Sequence, residues 1–235
     1  MLATGSALWY FARATGIVSL VLLTASVVLG IMTSVRWTSR SMPRFVVEYT
    51  HRNVTLLVMV FIVLHVATIV LDGFAPIGWI AAVVPLASPY RPIWLGLGAL
   101  AFDLLLAVAI TSWLRHRVGY PIWRAVHWAA YGSWAVAVFH GFGAGSDARQ
   151  TWALAVQVAC VAAVMLAVWW RVGFRWEEHT RVRIAALVAT IAFPMLLALF
   201  LWVGPLAPHW ATRAGTPPVQ RVGTVTSPAS GSGTR

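Results

Sequence analysis

The sequence predicts an all-α fold, a polytopic membrane bundle of six transmembrane helices, two of them carrying paired histidines. Three observations predict it. Hydrophobic residues make up 60% of the chain and charged residues 10%, where a soluble domain has about half and about a quarter. Six apolar runs approach the roughly 20 residues that cross a hydrocarbon core about 30 Å thick. Charge gathers between these runs, and it is mostly arginine: the net charge is +11 and the chain has no lysine. Such a basic balance can mark a nucleic-acid binder. Arginine held in loops on one side of a membrane explains it better.

The elements follow in order. Trp9, Tyr10 and Phe11 form an interfacial aromatic cluster, and Arg13 follows. The first span covers about residues 15–35. Its apolar run is too long for a secretory leader and lacks a basic start, so it is read as a span. An arginine-rich loop leads to the second span, about 49–71. The next loop holds Pro76, Pro85, Pro89 and Pro92, with room for a short helix at 77–84. Pro92 suits the first turn of span three, about 92–114. Pro121 opens span four, about 121–141. Spans five and six cover about 151–170 and 184–203, the latter with a kink expected at Pro194. Residues 1–204 are read as one membrane unit. Residues 205–235, rich in Gly, Pro, Ser and Thr, are read as a disordered extracytoplasmic tail. The single cysteine, Cys160, lies in an apolar run and reads as packing.

Orientation follows from the loops. The loops after spans one, three and five carry nearly all the arginine. The positive-inside rule puts them in the cytoplasm and both termini outside. The localisation expected is the plasma (inner) membrane.

Spans two and four then run parallel, from inside to outside. Span two has His51 and His65, 14 residues apart; span four has His127 and His140, 13 apart. At about 1.5 Å per residue each pair is separated by roughly 20 Å along the helix. His51 and His127 lie at the cytoplasmic level, His65 and His140 at the outer level. Imidazole is a good axial ligand for haem iron. Another metal, a proton relay or plain interhelical hydrogen bonds are the alternatives. Azimuth tests the haem reading. At about 100° per residue, 14 steps return within roughly 40° of one face, but 13 steps miss by roughly 140°. The second pair needs tilt, a locally tightened helix or different approach directions, and Gly132 would tolerate distortion.

The chain resembles the ferric reductase-like transmembrane domain shared by ferric reductases, NADPH oxidases and the haem-binding subunit of a periplasmic methionine sulfoxide reductase system. The His quartet and its 14 and 13 spacings carry the resemblance, with FARATG around Arg13 in support, over about residues 8–171. The resemblance implies two b-type haems, held by His51/His127 on the inner side and His65/His140 on the outer side. It implies electron transfer from the cytoplasmic side to an extracytoplasmic acceptor: ferric iron, oxygen or a redox protein. No flavin or nicotinamide fingerprint follows span six. The donor expected is a separate partner protein, a quinol or a flavin. This departs from the oxidases and eukaryotic reductases, which carry such a domain, and puts the chain nearer the short bacterial members. The rivals are a quinone-reactive respiratory cytochrome b, a proton- or metal-path transporter, and an anchor with structural haem.

Haem propionates need cations or donors. Arg52, Arg115, Arg117 and Arg124 are the inner candidates; Arg13, Arg91 and Arg149 are the outer ones. Arg52, Arg124 and Arg13 are the choices for cofactor binding. Asp103 sits mid-span, where an ionisable group is costly. It is a candidate partner for a ligand histidine or a proton carrier.

Overall fold

The computed structural model describes residues 7–39, 42–72, 77–145, 147–174 and 180–216. These form an all-α bundle. In order the helices are α1 (Ala7–Ser34), α2 (Arg44–Asp72), α3 (Trp79–Val83), α4 (Pro92–Trp113), α5 (Arg115–Val118), α6 (Tyr120–His127), α7 (Ala129–Ala144), α8 (Thr151–Phe174), α9 (Thr180–Val203) and α10 (Trp210–Arg213). Five of them, α1, α2, α4, α8 and α9, are long and apolar enough to cross a membrane. The chain is a multi-pass membrane protein.

The sixth expected span is divided. Residues 121–141 fall on α6 and α7, which break at Trp128, directly after His127. The Trp128 carbonyl accepts from the Tyr131 N–H, three residues on. That is the tighter, 3₁₀ pattern of about 120° per residue. Tightening adds rotation, which is the direction in which the 13-residue histidine step falls short. Gly132 sits inside the continuous part of α7, so the distortion is at Trp128 and not at the glycine.

α1 begins at Ala7, α2 at Arg44 and α9 at Thr180, ahead of the expected starts at about 15, 49 and 184. Pro92 is the first residue of α4 and needs no N–H partner there. The short helix expected after span two is α3. Pro194 lies inside α9, and the helix runs through it.

α1 is the centre of the bundle. It packs along α2 and also touches α7 and α8, while α4 packs along α7. In lipid, apolar burial hardly distinguishes one helix partner from another, so close contact and hydrogen bonds decide. Ser26 of α1 meets Thr55 of α2 at 2.8 Å. Trp134 of α7 donates Nε1–H to Thr24 of α1 at 3.0 Å. Ser133 donates to the Ala101 carbonyl of α4 at 2.8 Å. Around these bonds sits a buried cluster of Leu23, Val27, Ile31, Val58, Val138, Phe142 and Val164. Large apolar side chains face outward as well, among them Leu56 of α2, Leu199 and Trp202 of α9. An outward apolar face is what lipid requires.

Residues 205–216, assigned to the tail, lie against the bundle. Arg149 donates to the carbonyls of Pro205, Leu206 and Ala207. Gly215 accepts from the Arg91 N–H at 3.1 Å. Residues 217–235 lie outside the described residues.

Gly143 of α7 packs directly on the Trp94 ring of α4, and a Cβ there would overlap that ring. Gly143→Ala should therefore force the α4–α7 contact apart and cost about 1–3 kcal/mol. Thermal unfolding in detergent checks this; an unchanged midpoint would show that Trp94 can rotate away.

Candidate functional site

Two of the four histidines come face to face across the bundle. His65 of α2 and His140 of α7 face one another with ring centroids 6.4 Å apart and planes at 79°. His51 and His127 lie at the other end, within electrostatic reach of each other. α2 leans on α1, and α7 leans on α4. The helices that carry His65 and His140 thus each have a neighbour packed along them, and each ring touches that neighbour.

Each ring of the first pair is held by a backbone carbonyl. His65 Nδ1 is 2.8 Å from the Ala12 oxygen of α1. His140 Nδ1 is 2.8 Å from the Trp94 oxygen of α4. A carbonyl can only accept, so Nδ1 carries the proton in both rings. Nε2 is then the basic nitrogen left for a ligand-binding role. The second pair is held differently. The His51 ring lies beside the Ser26 backbone of α1, but its Nδ1 makes no close hydrogen bond. His127 stacks on Trp123, centroids 4.9 Å apart and planes at 29°. Among the described residues, the Nδ1 atoms of His51 and His127 are buried without a hydrogen-bond partner.

Asp103 is not the partner of these rings. Backbone carbonyls take the Nδ1 protons of His65 and His140, and among the described residues the Nδ1 atoms of His51 and His127 have no acceptor. Asp103 is half-buried on α4. Among the described residues, no group of three or more His, Cys, Asp or Glu side chains converges on a metal position.

The arginines divide. Arg13 forms an ion pair with Asp147 and lies over the Trp9 ring at 4.1 Å. Asp147 had no role by sequence; it stands 134 positions away, and only the fold brings it near. Arg91 is 7% exposed. It donates Nη1–H to the Gly143 and Ala144 carbonyls at 3.1 and 3.0 Å, and Nε–H to Thr216. Arg149 serves residues 205–207. Arg91 and Arg149 therefore tie helix and loop ends together. Arg52 is exposed next to His51, and Arg124 is exposed on α6 beside a groove with Tyr120 and Trp128. Arg115 lies over Trp123, the ring that stacks on His127. His116 is exposed on α5, and His179 lies outside the described residues.

The family described as ferric reductase like transmembrane component matches residues 15–143, more than half of the chain. The chain belongs to this family. No curated protein and no solved structure matches. The ferric reductase-like segment contains all four histidines and the helices that support them. It begins after Arg13 and ends before Asp147, so that ion pair lies outside it. Membership makes the chain a transmembrane redox component of the oxidoreductase type.

Arg91 anchors the end of α7 three residues beyond His140. Arg91→Ala would leave two helix-terminal carbonyls unpaired and should cost about 2–3 kcal/mol. Arg91→Lys should recover only part, because one ammonium cannot span the same acceptors. Unfolding midpoints of the two variants in detergent check the order.

Proposed function

We propose that this ferric reductase-like chain is a dihaem b-type cytochrome that passes electrons from the cytoplasmic side to an extracytoplasmic acceptor. The observation that carries the reading is the His65/His140 pair. An imidazole nitrogen binds a metal at about 2.0–2.1 Å, and a ring centre lies roughly 1 Å further back. A metal midway between two such rings puts their centres about 6 Å apart. The observed separation is 6.4 Å.

The donor chemistry agrees. Two imidazoles are too few for a structural zinc site, which takes four ligands. They are the complete axial set of a haem, whose ring supplies the other four nitrogens. His65 and His140 would hold one haem b, and His51 and His127 the other. Bound haem iron supplies one-electron chemistry by alternating between ferric and ferrous. The protein's part is to fix the rings, exclude water and set charge around them. Arg52 and Arg124 are exposed cations at the His51/His127 end, suited to propionates or to an anionic donor. Arg13 would do so at the other end, provided that it shares its charge with Asp147.

The α6–α7 pair forms the sixth crossing in this reading, with residues 1–204 as the haem-binding unit and 205–235 following outside. Arginine-rich connections face the cytoplasm, so both termini are extracytoplasmic in the plasma membrane. A separate partner, a quinol or a flavin delivers electrons. Ferric iron, oxygen or a redox protein receives them. A proton or metal path is less well supported, because Asp103 stands apart from the histidine Nδ1 atoms.

Protein purified from haem-sufficient cells should show two haems b per chain by pyridine haemochrome. His65→Leu and His140→Leu should each remove the same one, and His51→Leu and His127→Leu the other. The 79° between the His65 and His140 planes should give the outer haem a strongly anisotropic low-spin ferric EPR signal. A haem-free wild-type protein, or full haem in the His65→Leu variant, would defeat the assignment.

A further inference from the structure

The four histidines are alike in sequence and unlike in their supports. His65 lies against Gly16 of α1: a Cβ there would fall 2.8 Å from its Cε1 and 3.0 Å from its Nδ1. His140 lies against Gly98 of α4, at 2.6 and 2.7 Å for the same atoms. Real Cβ atoms essentially never come within 3.0 Å of a neighbour. No other residue type fits Gly16 or Gly98 while the rings stay in place.

The carbonyl that holds each ring belongs to the residue four before the glycine: Ala12 before Gly16, Trp94 before Gly98. In the helix that oxygen already accepts the glycine's own N–H. Its second lone pair is free for the imidazole. Helical side chains lean toward the N-terminus, so a side chain at the glycine would lie over that oxygen. Glycine uncovers the acceptor, and the ring moves in to use it.

The other pair has this arrangement only on one side and only loosely. Gly30 faces His51 at 3.4 Å and the Ser26 backbone, four residues before Gly30, lies beside the ring, but His51 Nδ1 forms no close hydrogen bond. Thirteen residues along α4 from Gly98 stands Thr111. Its own hydroxyl donates to the carbonyl four residues back, Ala107, at 2.7 Å. His127 Nδ1 has no partner among the described residues.

We propose that Gly16 and Gly98 are positioning residues for the His65/His140 pair, acting through the Ala12 and Trp94 carbonyls. The inference rests on the dihaem reading. A hydrogen bond from Nδ1–H makes the imidazole a stronger electron donor to a bound metal. Stronger donation favours ferric over ferrous iron. These two glycines therefore lower the midpoint potential of the outer haem and of no other. They are not catalytic; they act only through the ligand rings.

The test is a potentiometric titration with low-temperature EPR on the purified full chain. Gly98→Ala, Gly16→Ala and Gly30→Ala are compared with wild type, and Gly132→Ala is the control. A Cβ on Gly132 would meet only Leu104, at 3.9 Å. The outer haem is identified as the one missing from His65→Leu. Gly98→Ala and Gly16→Ala should move its potential upward and change its EPR anisotropy, leaving the inner haem unmoved. Gly30→Ala should have a smaller effect, confined to the inner haem, and Gly132→Ala none. A monodisperse variant that loses only the outer haem also supports the inference. Two haems with unmoved potentials, equal shifts in both, or loss of both in Gly16→Ala and Gly98→Ala would overturn it. A wild-type protein without haem overturns the dihaem reading itself, and this inference with it.

Discussion

Everything at the candidate site depends on how closely two helix pairs approach, α1 with α2 and α4 with α7. A histidine on α2 reaches a carbonyl of α1, and a histidine on α7 reaches a carbonyl of α4. Those bonds exist because neither Gly16 nor Gly98 has a side chain. Lipid supplies little preference for one helix partner over another. Surface smoothness and a few interhelical hydrogen bonds must supply it. The small residues of α1 (Thr15, Ser19, Thr24, Ser26), all buried, serve that end along most of its length.

Cations take two kinds of place in this fold. Arg91 and Arg149 are spent on backbone carbonyls at helix and loop ends. Such carbonyls have no partner within their own helix, and near a membrane they cannot be left bare. Arg52 and Arg124 remain exposed. Arg13 is intermediate, paired with Asp147 but a quarter exposed. A residue count of arginines at one face thus overstates the charge available to an anionic ligand there.

Much of the fold was legible in the sequence. The long apolar runs, Pro92 at the start of α4 and the short helix α3 are local properties, and they stand. The expected run 121–141 holds Arg124 and His127 in its first turns and is mostly apolar after them, and it is broken. Nothing in its hydropathy marks Trp128; the break shows only as a changed backbone bond between Tyr131 and Trp128. The glycine contacts left a faint trace. Gly16 and Gly30 are 14 residues apart, as are His51 and His65 on the antiparallel neighbour. That register has meaning only once α1 and α2 are known to be packed together.

The sequence by itself determined the class of the protein, its apolar helices, its family and the spacing of its histidines, because hydrophobic length and residue spacing along one helix are local quantities. Only the tertiary structure decided that His65 and His140 meet at 6.4 Å, that backbone carbonyls and not Asp103 hold these two rings, and that Arg13 meets Asp147. Those outcomes depend on which helix lies against which, and at what separation. Contacts between residues 46, 53 or 134 positions apart are set by packing and leave no periodic signal in the chain.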